Sequence, residues 1–159
     1  MPLHPRLIAA YLACALISFA APKSSKGTLK VVTDPKYQPG QVWRYKTRPG
    51  EERSTLTVLR VEAVGAKRIV HIRVDNIRLK NCFGGEEPNK IEHMPFSREA
   101  LDQSVIAKVR TVPVPDFESG YAEWRTAWDG GKAGFYTVTV SEAVEVAQKT
   151  FSKGLGCTN

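Results

Sequence analysis

The chain has 159 residues, of which 42% are hydrophobic and 25% charged, with a formal net charge of +7. That length fits one domain, and that composition excludes a globally disordered chain. The positive balance directs attention to anionic partners.

The opening stretch "MPLHPRLIAAYLACALISFAAPKSS" carries one His and one Arg ahead of an apolar run from Leu7 to Ala21, and ends in small residues. This is the layout of a secretory signal peptide. The apolar run is shorter than the roughly 20 residues a spanning helix needs. Ser18-Phe19-Ala20 puts small residues where the peptidase reads, so the leader is expected to be residues 1–20. A polar linker is expected over 21–30 and a single domain over 31–159. Losing the leader removes Cys14 and leaves Cys82 and Cys157, an even pair in an oxidising compartment. A disulfide between them is expected, with the mature chain periplasmic or secreted and without a transmembrane helix.

"TDPKYQPGQ" is turn chemistry. Residues 42–48, "VWRYKTR", alternate, with Val42, Arg44, Lys46 and Arg48 on one side and Trp43, Tyr45 and Thr47 on the other. Pro49-Gly50 makes a turn. Residues 54–64, rich in β-branched side chains, read as a long strand, followed by strands at 68–74 and 77–80. Between the last two, the alternation of apolar and basic residues changes phase at Asp75-Asn76. A two-residue hairpin turn there predicts that Val74 pairs with Ile77 and Ile72 with Leu79 on the inner side. Arg73 and Arg78, and His71 and Lys80, then pair on the outer side. A β-bulge in one continuous strand is the competing explanation.

The second half changes character. Residues 82–96, with Gly, Pro and acidic residues, read as a loop. Ser97 predicts a helix N-cap for roughly 98–108, and Asp116 another. Phe117, Tyr121, Trp124 and Trp128 recur at helical spacing, a stripe expected in the core, and Gly130-Gly131 ends that helix. A strand at 135–140 and a last helix capped by Ser141 complete the order. Strands followed by helices predict an α+β fold: a bent antiparallel sheet or small open barrel in the N-terminal half, covered on one side by two to three helices.

Charge divides unevenly. From Lys23 to Lys80 there are 14 Lys/Arg against 5 Asp/Glu, and from Asn81 to Asn159 there are 8 against 11. On the predicted phases, Arg44, Lys46, Arg48, His71, Arg73, Arg78 and Lys80 form a basic outer face, which Arg60 can extend. The functional expectation is an exported, non-catalytic protein that uses this face to bind an anionic ligand or an acidic macromolecule. Nucleic acid is disfavoured, because the strands lack the interleaved exposed aromatics of a single-strand platform.

No P-loop, nucleophile elbow or zinc-protease motif is present, and no cofactor or metal site is legible. The alternatives are a small hydrolase with its site near 82–96, or an inhibitor or immunity-type protein. The hydrolase requires His71, Glu92 and His93 to meet at a cleft.

The stretches "YQPGQVWRYKTRPGEERSTLTVLRVE", "HMPFSREALDQSV" and "PDFESGYAEWRTAWDGGKAGFYTVTVSEAV" resemble a family of small uncharacterised bacterial proteins. They cover much of the mature chain. The resemblance implies a bacterial source and a periplasmic or secreted protein, and it assigns no catalytic residue. The two cysteines lie outside it, so the disulfide expectation rests on compartment.

Overall fold

The computed structural model describes residues 27–157. The expected signal peptide and its cleavage point lie outside the described residues. The elements run β1 (Lys30–Val31), β2 (Gln41–Tyr45), β3 (Thr55–Val64), β4 (Lys67–Asp75), β5 (Lys90–Ser97), α1 (Arg98–Ser104), β6 (Val105–Thr111), α2 (Glu118–Asp129) and α3 (Val140–Leu155). The strands form one open antiparallel sheet in the order β5-β4-β3-β2-β6, with β1 also pairing β3. The α+β class with a bent open sheet is therefore observed.

β3 and β4 are the longest strands and form a hairpin closed by Gly65 at φ 57°. Glycine takes that left-handed conformation without a Cβ penalty. The register runs from Val64 opposite Lys67 to Thr55 opposite Asp75, with an irregularity between Val58 and Arg60. Such a bulge shifts the side-chain phase. Leu56, Val58 and Val61 consequently share one face of β3, whereas Leu59 packs on the other with Phe117 and Tyr121.

Strict alternation along β4 then separates two layers. Val70, Ile72 and Val74 face a core closed by Ala100 and Leu101 of α1 and by Val140, Ala143 and Val144 of α3. Ile69 faces the opposite side, with Leu29 and Trp128. Helices thus cover both faces of the sheet rather than one. The aromatic stripe of α2 covers its own face, which leaves α1 and α3 for the other. Leu29 is buried and Lys30–Val31 pair β3, so the sheet begins within the stretch read as a linker.

The predicted hairpin at Asp75-Asn76 does not form. Asn76 does take a positive φ of 57°, but the chain leaves the sheet there. Val74 pairs with Leu56 and Ile91, and Ile72 with Val58 and Met94. Strands β3 and β5 therefore occupy both sides of β4, and residues 77–80 have no sheet neighbour left to pair. They keep the alternation: Ile77 and Leu79 are buried and Arg78 and Lys80 exposed. Their backbone bonds to the next loop, from Ile77 N to Asn89 O (3.1 Å) and from Leu79 N to Pro88 O (3.0 Å).

Four further differences concern element limits. The loop read over 82–96 ends earlier, and Lys90–Ser97 is β5. The helix read over 98–108 stops at Ser104, and the chain continues as β6. Residues 135–140 contribute only a bridge between Tyr136 and Phe96, not a strand. Thr139, not Ser141, caps α3, in a reciprocal capping box with Glu142. Asp116 accepts a bond from Glu118 N (3.1 Å) just ahead of α2. Cys82 and Cys157 are joined in a disulfide across 75 residues, with Cα atoms 6.1 Å apart. Among the described residues no helix is long and apolar enough to cross a membrane.

Candidate functional site

The seven basic candidates do not share one face. His71 is fully buried on the α2 side of the sheet and contributes nothing to an outer surface. Arg73 bonds Asp75 (2.8 Å) and Arg78 bonds Glu87 (3.2 Å). Arg48 is held on two sides, by Glu51 through two nitrogens and by Glu145 (3.0 Å). The reason lies in the lost hairpin. Once residues 77–80 leave the sheet, Arg78 no longer lies across from Arg73, and each cation finds its own carboxylate.

Arg48, Arg78 and Lys80 do converge on a groove of about 690 Å³, between the turn at 47–51, residues 76–80 and the first turns of α3. Glu51, Glu142 and Glu145 line it as well, so cations and carboxylates alternate around its wall. A smaller pocket of about 260 Å³ lies along residues 86–92, from the loop into the start of β5, and Glu86, Glu87 and Glu92 line it beside Lys90.

The remaining candidates lie elsewhere. Arg44 is exposed on β2, and Lys46 just beyond it reaches only the Gln103 carbonyl (3.2 Å). β6 pairs with β2 and brings two more exposed cations, Lys108 and Arg110, beside them. Among the described residues none of these four forms an ion pair. No Asp or Glu occurs from Gln41 to Arg48 or from Val105 to Pro115. Lys108 closes the segment read as a helix and Arg110 lies two residues past it, so the sequence reading places neither on a strand.

A second constellation lies beneath α2. The bulge in β3 sets Arg60 opposite His71, and β5 brings His93 alongside. His71 Nδ1 and His93 Nε2 are 2.9 Å apart. The Tyr121 hydroxyl donates to Glu62 Oε1 (3.0 Å), and Glu62 Oε2 lies 3.0 Å from His71 Nε2. That last contact is close but off the alignment of a good hydrogen bond, so it acts as a charge–dipole contact between the carboxylate and the imidazole N–H. Tyr121 and Trp124 meet both imidazoles edge-on or tilted, and the Arg60 guanidinium lies 4.4 Å from the Tyr121 ring centre. Gly120 permits the close approach of α2, since a Cβ there would lie 3.0 Å from the His93 Cβ.

Burial pushes the His71 pKa down more strongly than Glu62 raises it. Burial, with the neighbouring His71, lowers His93 to about 4. Burial raises the Glu62 carboxyl, but the adjacent His71 imidazole and the Tyr121 hydroxyl outweigh it and leave it below its usual value. At neutral pH the row therefore holds a carboxylate and two neutral imidazoles. With the His71 proton on Nε2 facing Glu62, His93 Nε2–H donates to His71 Nδ1. The two histidines do gather, but with Glu62 rather than Glu92, which pairs with Lys90 (2.8 Å). Neither pocket is lined by either ring. Among the described residues no group of three or more His, Cys, Asp or Glu is arranged to hold a metal.

No family model, curated protein or solved structure matches this chain.

Proposed function

We propose that this chain is an exported, partner-binding protein of the periplasm or extracellular space. Its working surface is the basic region formed by β2 and β6, and its partner presents carboxylates, sulfates or phosphates. One observation carries the reading: Arg44, Lys46, Lys108 and Arg110, exposed and without an ion pair among the described residues, lie on or just beyond two adjacent strands whose segments hold no Asp or Glu, while Arg48, Arg73 and Arg78 are paired. Unpaired surface cations attract anions over about a Debye length and lose that attraction in salt. The Cys82–Cys157 bridge supports the compartment, since disulfides persist where the surroundings are oxidising.

Retention on immobilised heparin tests it. Lys108→Glu/Arg110→Glu and Arg73→Glu/Arg78→Glu change the net charge equally. The first pair is expected to elute at clearly lower salt than the second. Equal elution of the two would remove β2–β6 as the surface.

The contact between His71 and His93 favours a second reading, a hydrolase in which His93 is the base, backed by His71 and Glu62. The covering of this row by α2 ranks it second. Turnover of a chromogenic ester that vanishes in His93→Ala would favour it, and no turnover by the parent chain would discard it.

A further inference from the structure

We propose that the edge of β6, unpaired among the described residues, takes an extended acidic segment of a partner polypeptide as an additional strand of the sheet. This rests on the reading of β2–β6 as the binding surface and adds the mode of recognition to it.

β6 closes the strand order on one side, is seven residues long, contains no proline and is mostly exposed. An edge strand presents a row of backbone donors and acceptors that another extended chain can complete. The opposite edge of the sheet is already occupied. Ser97 N bonds Tyr136 O (2.8 Å) and Tyr136 N bonds Pro95 O (2.8 Å), and Pro95 has no N–H to offer. On β6, Ile106 and Val109, left without partners at the two register shifts against β2, are 58% and 47% exposed, which leaves aliphatic surface along the edge.

Charge selects the occupant. Lys108 and Arg110 lie within β6, and Arg44 and Lys46 lie on and just beyond the neighbouring strand. A second copy paired antiparallel about Lys108 would set lysine against lysine, and like charges opposite each other are unfavourable. The chain cannot supply the acid from its own N-terminal stretch, because residues 1–26 contain no Asp or Glu. The register sets Lys108 opposite Trp43 and Arg110 opposite Val42, so cations lie on both sides of the edge, and an extended segment carrying acidic residues among aliphatic ones matches them together with the exposed Ile106 and Val109.

The test uses the disulfide-bonded chain and three probes: a short peptide of alternating Glu and Val, the same peptide N-methylated at alternate amides in either frame, and a heparin oligosaccharide. Fluorescence anisotropy is expected to show binding of the parent peptide. Methylation in one frame is expected to weaken binding at least about tenfold relative to the other, because only one set of amides faces the edge. Equal affinity in both frames overturns strand addition. Binding of the oligosaccharide without the peptide overturns it too, while sparing the charged surface. No binding of either probe overturns both. Sedimentation of the chain alone is expected to show no β6-dependent dimer; a dimer abolished by Val109→Pro would give the edge to a second copy and overturn the proposal.

Discussion

At the scale of single residues, the least ordinary group is the imidazole pair under α2. Neutral buried histidines make folding sensitive to acid. Both pKa values are lowered in the folded chain, whereas an unfolded histidine protonates near about 6.5. The unfolded chain therefore binds more protons as the pH falls below that value, and stability drops. For His93 this loss is complete near its folded pKa of about 4. Glu62 has the opposite chemistry: its lowered pKa contributes stability above its unfolded value that is lost as the pH falls through the folded one. The window between about 6.5 and 5 thus belongs to the histidines. His93→Gln keeps a donor for His71 but cannot take up a proton. Urea midpoints measured across that window are expected to fall less steeply for His93→Gln than for the parent. Parallel slopes would mean that His93 titrates normally. Nothing in the sequence marks Glu62 as the partner of His71. The link is lateral, between neighbouring strands, and depends on a bulge between Val58 and Arg60 that no local pattern announces.

At the scale of elements, local chemistry predicts where local chemistry decides. The β3–β4 hairpin, the Ser97 cap and the aromatic stripe of α2 are all legible because turns, caps and periodicity are short-range signals. Two strands are not. β5 alternates from Lys90 to Met94 but contains Pro95, and proline demotes a strand reading. β6 follows α1 without a break, and only its β-branched Val105-Ile106 hints that the helix has ended. Asp75-Asn76 illustrates a tertiary override: the positive φ is real, but β3 and β5 fill the places its hairpin needed. The seating of α2 gives a test at this scale. Alanine at an exposed helical glycine gains about 0.5–1 kcal/mol from the backbone. At Gly120 the new Cβ would meet the Cβ of His93 at 3.0 Å, an atom anchored directly to β5. Overpacking of that kind costs about 1–3 kcal/mol, so it outweighs the gain. Gly120→Ala is expected to lower the denaturation midpoint and raise the exposure of Trp124 and Trp128, read by their fluorescence. A higher midpoint would mean that α2 can slide without cost.

At the scale of the whole molecule, the disulfide links the loop after residues 77–80 to the end of α3. Its contribution can be separated from the contacts beside it. Lys80 N donates to Gln148 Oε1 (2.7 Å) and Gln148 Nε2 donates to Lys80 O (3.1 Å), so α3 is held at this strip without the sulfur bridge. Phe151 also packs against the main core. The folded state should therefore change little when the bridge is absent, and the effect should come from the unfolded chain. Closing a loop of 75 residues removes unfolded-state entropy worth about 4 kcal/mol in the chain-entropy model. Cys82→Ser/Cys157→Ser is expected to keep the far-ultraviolet spectrum of the parent while losing up to about 4 kcal/mol of unfolding free energy. Reduction of the parent should reproduce that loss, since Cys82 is exposed. A double variant with the parent's midpoint would show that the bridge restrains nothing the contacts between Lys80 and Gln148 do not already restrain. A changed spectrum would show that α3 depends on the bridge for its fold. The pairing was legible because it needs only compartment and an even count. The strip of contacts beside it was not, because it joins residues 68 apart in sequence.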